Sequence, residues 1–193
     1  MKDSFYQIHA TQFFQDTQSV DMQPLYQRFL PLLAPGAHIL DAGCGSGRDA
    51  KYFSEQGFVV SAFDASPALV GMAREFTGLD IELSTFDAYQ AKQPLDAIWA
   101  CASLLHVPVA KLAQTFNHLA SQLSQNGLFY CSFKYGEGEV QRGNRLFTDL
   151  TEHGLAQVLA STPLEICDRW KTADLRQGRE QEPWLNAILR KRA

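Results

Sequence analysis

The 193-residue chain reads as an α/β protein, a mostly parallel sheet with helices on both faces, and three observations predict it. Ile39 to Ala50 passes from an apolar run into three alternating glycines and then a helix-compatible segment, the signature of a strand, a tight loop and a helix. Strand and helix patterns alternate at βαβ spacing from residue 37 to residue 133. Asp64 closes the second apolar run, 21 residues after Gly43, where a parallel sheet places ligand-binding carboxylates.

The pattern Phe5, Tyr6, His9, Phe13 and Phe14 has helical spacing and predicts a short amphipathic N-terminal helix. Asp21 is a candidate cap for a second helix with an apolar stripe of Leu25, Phe29, Leu32 and Leu33, stopped by Ala34-Pro35-Gly36. Residues 37–41 form the first strand, 48–56 the first helix after the glycines with Gly57 as its stop, and 58–64 a second strand apolar on both faces. Ser66-Pro67 caps and opens the next helix. Residues 80–84 and 95–101 read as strands three and four, 109–123 as a helix, and 128–133 as a fifth strand after the Asn126-Gly127 turn. Residues 135–145 are polar and Gly-rich, a loop of the functional or mobile kind. Thr148 or Thr151 opens a further helix, and 164–170 and 184–189 pair as a closing hairpin.

Composition narrows the function classes. With 46% apolar residues the chain is long enough for one continuous core, so a single domain is expected, with residues 1–35 as a helical lid and 36–193 as the core. A net charge of −4 gives no basic field for non-specific binding to nucleic acid or an anionic membrane. No apolar run nears the roughly 18 residues of a membrane span, and the start Met1-Lys2-Asp3-Ser4 lacks a signal-peptide core, so a cytoplasmic protein is expected. Cys44, Cys101, Cys131 and Cys167 are widely spaced, which predicts buried reduced thiols and neither a disulfide framework nor a metal cluster.

The glycines at 43, 45 and 47 remove every Cβ from the turn, letting backbone approach a ligand and aim N–H groups at it. Arg48 stands where a dinucleotide fingerprint would have its third glycine. Asp41, just before the loop, suits a cationic ligand group, and Asp64 suits a ribose diol because a carboxylate only accepts hydrogen bonds.

The stretch Leu40-Asp41-Ala42-Gly43-Cys44-Gly45-Ser46-Gly47 resembles motif I of the class I S-adenosylmethionine-dependent methyltransferases, and the likeness extends from about Gly36 onward. The small bacterial, methyltransferase-11/12-like members, some labelled tellurite-resistance-like, are the nearest in kind. The resemblance implies a Rossmann-like seven-stranded sheet whose last strand is antiparallel, with an N-terminal helical lid to which Tyr6, Phe13 and Phe14 contribute aromatics. It implies S-adenosyl-L-methionine held by Asp41, Gly43, Cys44, Gly45, Ser46, Gly47, Arg48, Asp64, Ala65, Phe86, Asp87 and Ala100, with Arg48 facing the cofactor carboxylate and Asp87 the adenine amine.

Asp96 to His106 resembles motif IV of small-molecule methyltransferases and lacks the Pro-Pro-Tyr string of base-amino enzymes. A small-molecule acceptor is therefore expected, and His106 is the candidate general base, with an acidic limb near the ordinary histidine pKa of about 6.5. Two other readings stay open at this point: an NAD-binding oxidoreductase, favoured by Asp64, and an S-adenosylmethionine-binding module without catalysis.

Overall fold

The structure, a computed structural model, describes residues 9–143, 145–176 and 178–192. Helix α1 (Ala10–Gln18) and helix α2 (Gln23–Phe29), followed by a 3-10 turn (Leu30–Leu32), precede the sheet. Then come β1 (His38–Ala42), α3 (Arg48–Glu55), β2 (Val59–Asp64), α4 (Pro67–Thr77), β3 (Ile81–Leu83) and β4 (Leu95–Ala100). A 3-10 turn (Leu104–His106) leads to α5 (Val109–Ser121), β5 (Leu123–Lys134), β6 (Gly138–Arg142), β7 (Arg145–Asp149), α6 (Glu152–Leu159), β8 (Leu164–Ala173) and β9 (Pro183–Lys191).

Seven strands form one sheet in the order β3-β2-β1-β4-β5-β9-β8. β1 to β5 are parallel, and β9 runs antiparallel to both β5 and β8. The strand order reverses between β1 and β4, so their carboxyl ends diverge and leave a crevice there. Ile39, Leu40, Ala97, Ile98 and Trp99 are fully buried, as a strand covered on both faces requires. Ser66 caps α4 by accepting from the Leu69 N–H at 3.4 Å, with Pro67 at the first helical position as its fixed φ favours.

An aromatic cluster fastens α2 to one face of the sheet. Trp99 stacks on Tyr130 with centroids 3.8 Å apart, and Phe29, Phe53 and Tyr26 pack around it at 5.2, 5.4 and 5.7 Å. Such pairs contribute about 0.5–1.5 kcal/mol each beyond the area they bury. The α2 helix is therefore part of the core rather than a loose appendage.

Four expectations are corrected. Residues 135–145 are not an irregular loop: β6 and β7 pair as an antiparallel hairpin, with Arg142 opposite Arg145 and Gly143 at φ +61°. Its polar faces hid the strand period, because a hairpin that stands off the sheet edge needs no apolar alternation over most of its length. Leu32 is 56% exposed, since Pro31 ends α2 and the 3-10 turn rotates that position outward. Cys167 is exposed on the alternating edge strand β8, whereas Cys131 is buried and Cys44 and Cys101 are half-buried. The second strand is covered on both faces only near its end, and Val59 at its start is 55% exposed. The N-terminal helix runs Ala10–Gln18 with His9 at its N-cap, so of the expected residues Phe13 and Phe14 lie in it; Phe5 and Tyr6 lie outside the described residues. Among the described residues no helix is long and apolar enough to cross a membrane.

Candidate active site

The glycine loop sits at the carboxyl end of β1, under α1 and beside the chain leaving β4. Gly43, Gly45 and Gly47 have φ values of +74°, +56° and +77°, a region costly for any residue with a Cβ. A Cβ on Gly43 would stand 2.8 Å from the Ser103 Cβ and 3.1 Å from the Phe86 ring. One on Gly45 would stand 3.1 Å from the Phe13 ring. Gly47 has a different purpose: its Cβ would strike Thr77 at 2.7 Å and Ala73 at 3.2 Å, so it permits α3 to pack on α4 and borders neither cavity of the site.

Four of the loop's N–H groups are turned inward, contrary to the expectation that they face a ligand. Gly43 and Cys44 donate to the Phe63 carbonyl at 3.0 and 2.9 Å, Gly47 to the Cys44 carbonyl at 2.9 Å, and Gly45 to Asp64 Oδ2 at 2.9 Å. What the loop offers a ligand is closeness. A cradle without Cβ atoms, one wall of which is the Phe86 ring, fits the adenosyl and sulfonium portions of S-adenosylmethionine and needs no anion-binding nest.

Asp64 ends β2 half-buried, with Oδ1 accepting from the Ser66 N–H at 2.9 Å and Oδ2 from Gly45. Burial pushes its carboxyl upward, and these backbone bonds oppose the shift. Each carboxylate oxygen keeps a second lone pair, enough for a ribose diol. Asp64, Ala65, Phe86 and Asp87 line a cavity of about 550 Å³ over the ends of β2 and β3. Phe86 packs edge-on to Phe63 at 5.5 Å, while Asp87 is exposed and accepts from Thr85 Oγ1 at 2.6 Å, a bond that lowers its pKa. Ala100 borders neither cavity; its methyl is fully buried in the core, and the chain turns toward the site only at Cys101 and Ala102.

Sequence reasoning missed Asp49, which organises the other side of the loop. Its carboxylate accepts from Arg48 Nε at 2.6 Å, Arg48 Nη2 at 3.0 Å, the Tyr26 hydroxyl at 2.5 Å and Trp99 Nε1 at 2.8 Å. Burial alone would raise its pKa, but the Arg48 charge and these bonds hold it below the ordinary carboxylate range. Arg48 also donates to the Thr17 carbonyl at 3.2 Å, so three of its five N–H groups tie α1 and α3 together instead of awaiting a cofactor carboxylate. Asp41 accepts from the Ala50 N–H at 3.0 Å, and complete burial, then the charge of Asp49, push it well above the usual carboxylate range. No local string marks Asp49, because beyond the adjacent Arg48 its partners come from α2 and β4, 23 and 50 residues away.

A second cavity, of about 760 Å³, opens beside the first, above the ends of β1, β4 and β5. Asp41, Cys44, Ser46 and Arg48 border it, and the β6–β7 hairpin and the turn between β8 and β9 roof it. The two cavities share Phe13, Gly43, Gly45, Ala102 and His106. Ala102 holds φ +51° and donates its N–H to Ser132 Oγ at 2.8 Å, a left-handed alanine of the kind that clusters at functional sites. The His106 ring lies 4.9 Å from Phe147, and burial, with the Arg145 charge, pushes its pKa down to about 4, below the expected 6.5. The same low-dielectric setting pushes Cys101 up to about 12, so it is no thiolate nucleophile.

A family model described as a methyltransferase domain matches residues 14–168. The ubiquinone biosynthesis O-methyltransferase of Xanthomonas campestris pv. campestris is 35% identical over 171 residues, spanning 79% of this chain and 70% of that protein. Two solved structures share the fold. The 1,6-didemethyltoxoflavin-N1-methyltransferase of Burkholderia thailandensis, bound to S-adenosylhomocysteine, superposes with a TM-score of 0.76 at 22% identity over 96% of this chain and 84% of that one. The TehB-like S-adenosylmethionine-dependent methyltransferase of Corynebacterium glutamicum gives 0.76 at 21% identity over 96% and 99%. With motif I in the cradle at the β1 terminus, the chain belongs to the class I S-adenosylmethionine-dependent methyltransferase superfamily.

Proposed function

We propose that this enzyme transfers a methyl group from S-adenosylmethionine to a small-molecule acceptor held in the larger cavity. The observation that carries the reading is the pair of cavities meeting at Gly43, Gly45, Ala102 and His106, one suited to a nucleoside and the other an open cleft of small-molecule volume. The name of the Xanthomonas relative, an O-methyltransferase of ubiquinone biosynthesis, favours an oxygen nucleophile on a small organic acceptor. Membership of the methyltransferase superfamily sets the oxidoreductase reading aside.

Asp64 would take the ribose hydroxyls, Phe86 and Ala65 would bound the base, and the glycine loop would lie against the sulfonium end. S-adenosylmethionine, when bound, supplies an electrophilic methyl group. The protein's own contribution is alignment and exclusion of water, worth several orders of magnitude in rate for a well-oriented pair. Phe13 covers Gly45 from α1, and the β6–β7 hairpin covers the acceptor side. His106 is neutral at pH 7 because of its depressed pKa, so its ring can accept a hydrogen bond and then a proton from an acceptor hydroxyl.

Isothermal calorimetry with S-adenosylhomocysteine tests the cofactor half, and labelled-methyl transfer from S-adenosylmethionine into a whole-cell lysate, afterwards separated into small molecules, RNA and protein, tests the acceptor half. Micromolar binding and a labelled small product are expected. Label appearing only in RNA or protein would overturn the acceptor assignment, and absent binding would overturn the site.

A further inference from the structure

We infer that the acceptor is a ring-sized or larger molecule whose far end carries an uncharged hydrogen-bond-accepting oxygen, a carbonyl or ether, and that the Thr172 hydroxyl receives it. This rests on the proposed methyl transfer and names the substrate class of the same site.

A polar row crosses three strands where the larger cavity meets the sheet. Ser132 on β5 is the register partner of Asn186 on β9, and Asn186 reaches across to Thr172 on β8. All three border the cavity, yet Ser132 and Asn186 are only 2% and 1% exposed. Further down the same face Tyr130 and Ile188 are register partners, and they pack with Met22, Leu25 and Trp170 in one apolar cluster. Polar groups persist at such a border only when their bonds are made, so the direction of each bond matters.

The bonds run one way. The Tyr130 hydroxyl donates to Asn186 Oδ1 at 2.7 Å, which turns the amide nitrogen toward Thr172. Asn186 Nδ2 then donates to Thr172 Oγ1 at 3.0 Å. With its oxygen accepting from that side, the Thr172 hydroxyl carries its own proton elsewhere, and no acceptor among the described residues takes it. The row therefore ends at the cavity wall on an unused donor, polarised by the two bonds behind it.

At its other end the row meets the proposed reaction centre. Ser132 Oγ accepts from the Ala102 N–H at 2.8 Å, and Ala102 borders both cavities. From β4 through β5 and β9 to β8 is three strand steps, about 14 Å between backbones at about 4.8 Å per step. Side chains reach in from both ends, so a molecule that touches Thr172 and the junction together has the length of a ring with its substituents. Lys134 and Asp174, each two residues along the chain from the row, are already paired with Glu182 and Arg176. The row itself thus presents a neutral donor, while Val20, Met22, Leu25 and Leu175 give the cavity apolar walls for the body of the acceptor.

The test is ligand-observed NMR on the full chain loaded with S-adenosylhomocysteine, comparing acetophenone with α-methylstyrene, which has the same shape with a methylene in place of the carbonyl oxygen. Acetophenone should bind about fivefold more tightly, the usual gain from one hydrogen bond. In protein labelled at its threonine methyls, acetophenone should also shift the Thr172 resonance, assigned by its absence from Thr172→Val. Thr172→Val should abolish the preference, and Thr172→Ser, which keeps the hydroxyl, should restore it, with S-adenosylhomocysteine affinity reporting an intact fold in each. Equal binding of the two probes by the wild type, an unmoved Thr172 methyl, or a preference that survives in Thr172→Val would overturn the assignment. So would a preference absent from Thr172→Ser, or benzoate binding more tightly than acetophenone. Absence of S-adenosylhomocysteine binding by the wild type would instead refute the proposed cofactor site.

Discussion

Arg48 and its neighbour Asp49 form a bidentate ion pair, with Nε and Nη2 at 2.6 and 3.0 Å from the two carboxylate oxygens, beside α1 and against Trp99. Adjacent residues seldom pair this way unless other groups fix both side chains. Here Tyr26 and Trp99 complete the carboxylate, and the Thr17 carbonyl holds the guanidinium. The Asp49 side chain is only 7% exposed, so its charge cannot fall back on water.

Replacing Asp49 by Asn, nearly isosteric, should therefore cost about 3–5 kcal/mol, the usual penalty for stranding one charge of a buried pair. Urea unfolding monitored by tryptophan fluorescence measures it. A cost below about 1 kcal/mol would mean that the pair is solvated in solution and does not tie α1 to the sheet.

Asp64→Ala should weaken S-adenosylhomocysteine by at least about tenfold, since hydrogen bonds to a charged acceptor contribute about 1.5–3 kcal/mol each. The variant also releases the Gly45 and Ser66 N–H groups, so its fold is checked by circular dichroism. An unchanged dissociation constant in a folded variant removes Asp64 from the cofactor site.

His106 carries a pH signature with a definite sign. In the unfolded chain it titrates near its ordinary 6.5, and in the fold near about 4, so between those values the unfolded state binds more protons. Its contribution to stability is therefore present above 6.5 and declines as pH falls through that window. His106→Gln should flatten the fall in urea midpoint between neutral pH and about pH 4.5, and an identical fall in both proteins would show that the ring is not desolvated. In catalysis the variant should lose about 10²- to 10⁴-fold in kcat on the true acceptor while keeping cofactor affinity, and the wild type's acidic limb near 4 should vanish. Near-normal kcat would make His106 a packing residue of the hairpin.

Helix α1 and the β6–β7 hairpin both cover the site, through Phe13 on Gly45 and through Arg142 and Phe147 over the larger cavity. Hydrogen exchange in residues 10–18 and 138–149 should slow when S-adenosylhomocysteine binds, as expected of segments that close over a ligand. Unchanged rates in both segments would count against closure.

The sequence by itself determined the sheet, the glycine loop and Asp64, because each depends on neighbours within a few residues: apolar runs of strand length, glycines at left-handed positions, a carboxylate at a strand end. It also placed His106 near the cleft, since the chain must emerge there from β4. Only the tertiary structure decided what those residues meet. It turned the loop N–H groups onto Phe63 and Asp64, committed Arg48 to Asp49, sent Ala100 into the core and lowered the His106 pKa through burial and a hairpin arginine. It also gathered Lys134, Arg142, Arg145, Arg176 and Arg179 around one cavity. These outcomes depend on long-range neighbours, and hydrogen-bond saturation and desolvation are properties of an enclosure that no local stretch of chain contains.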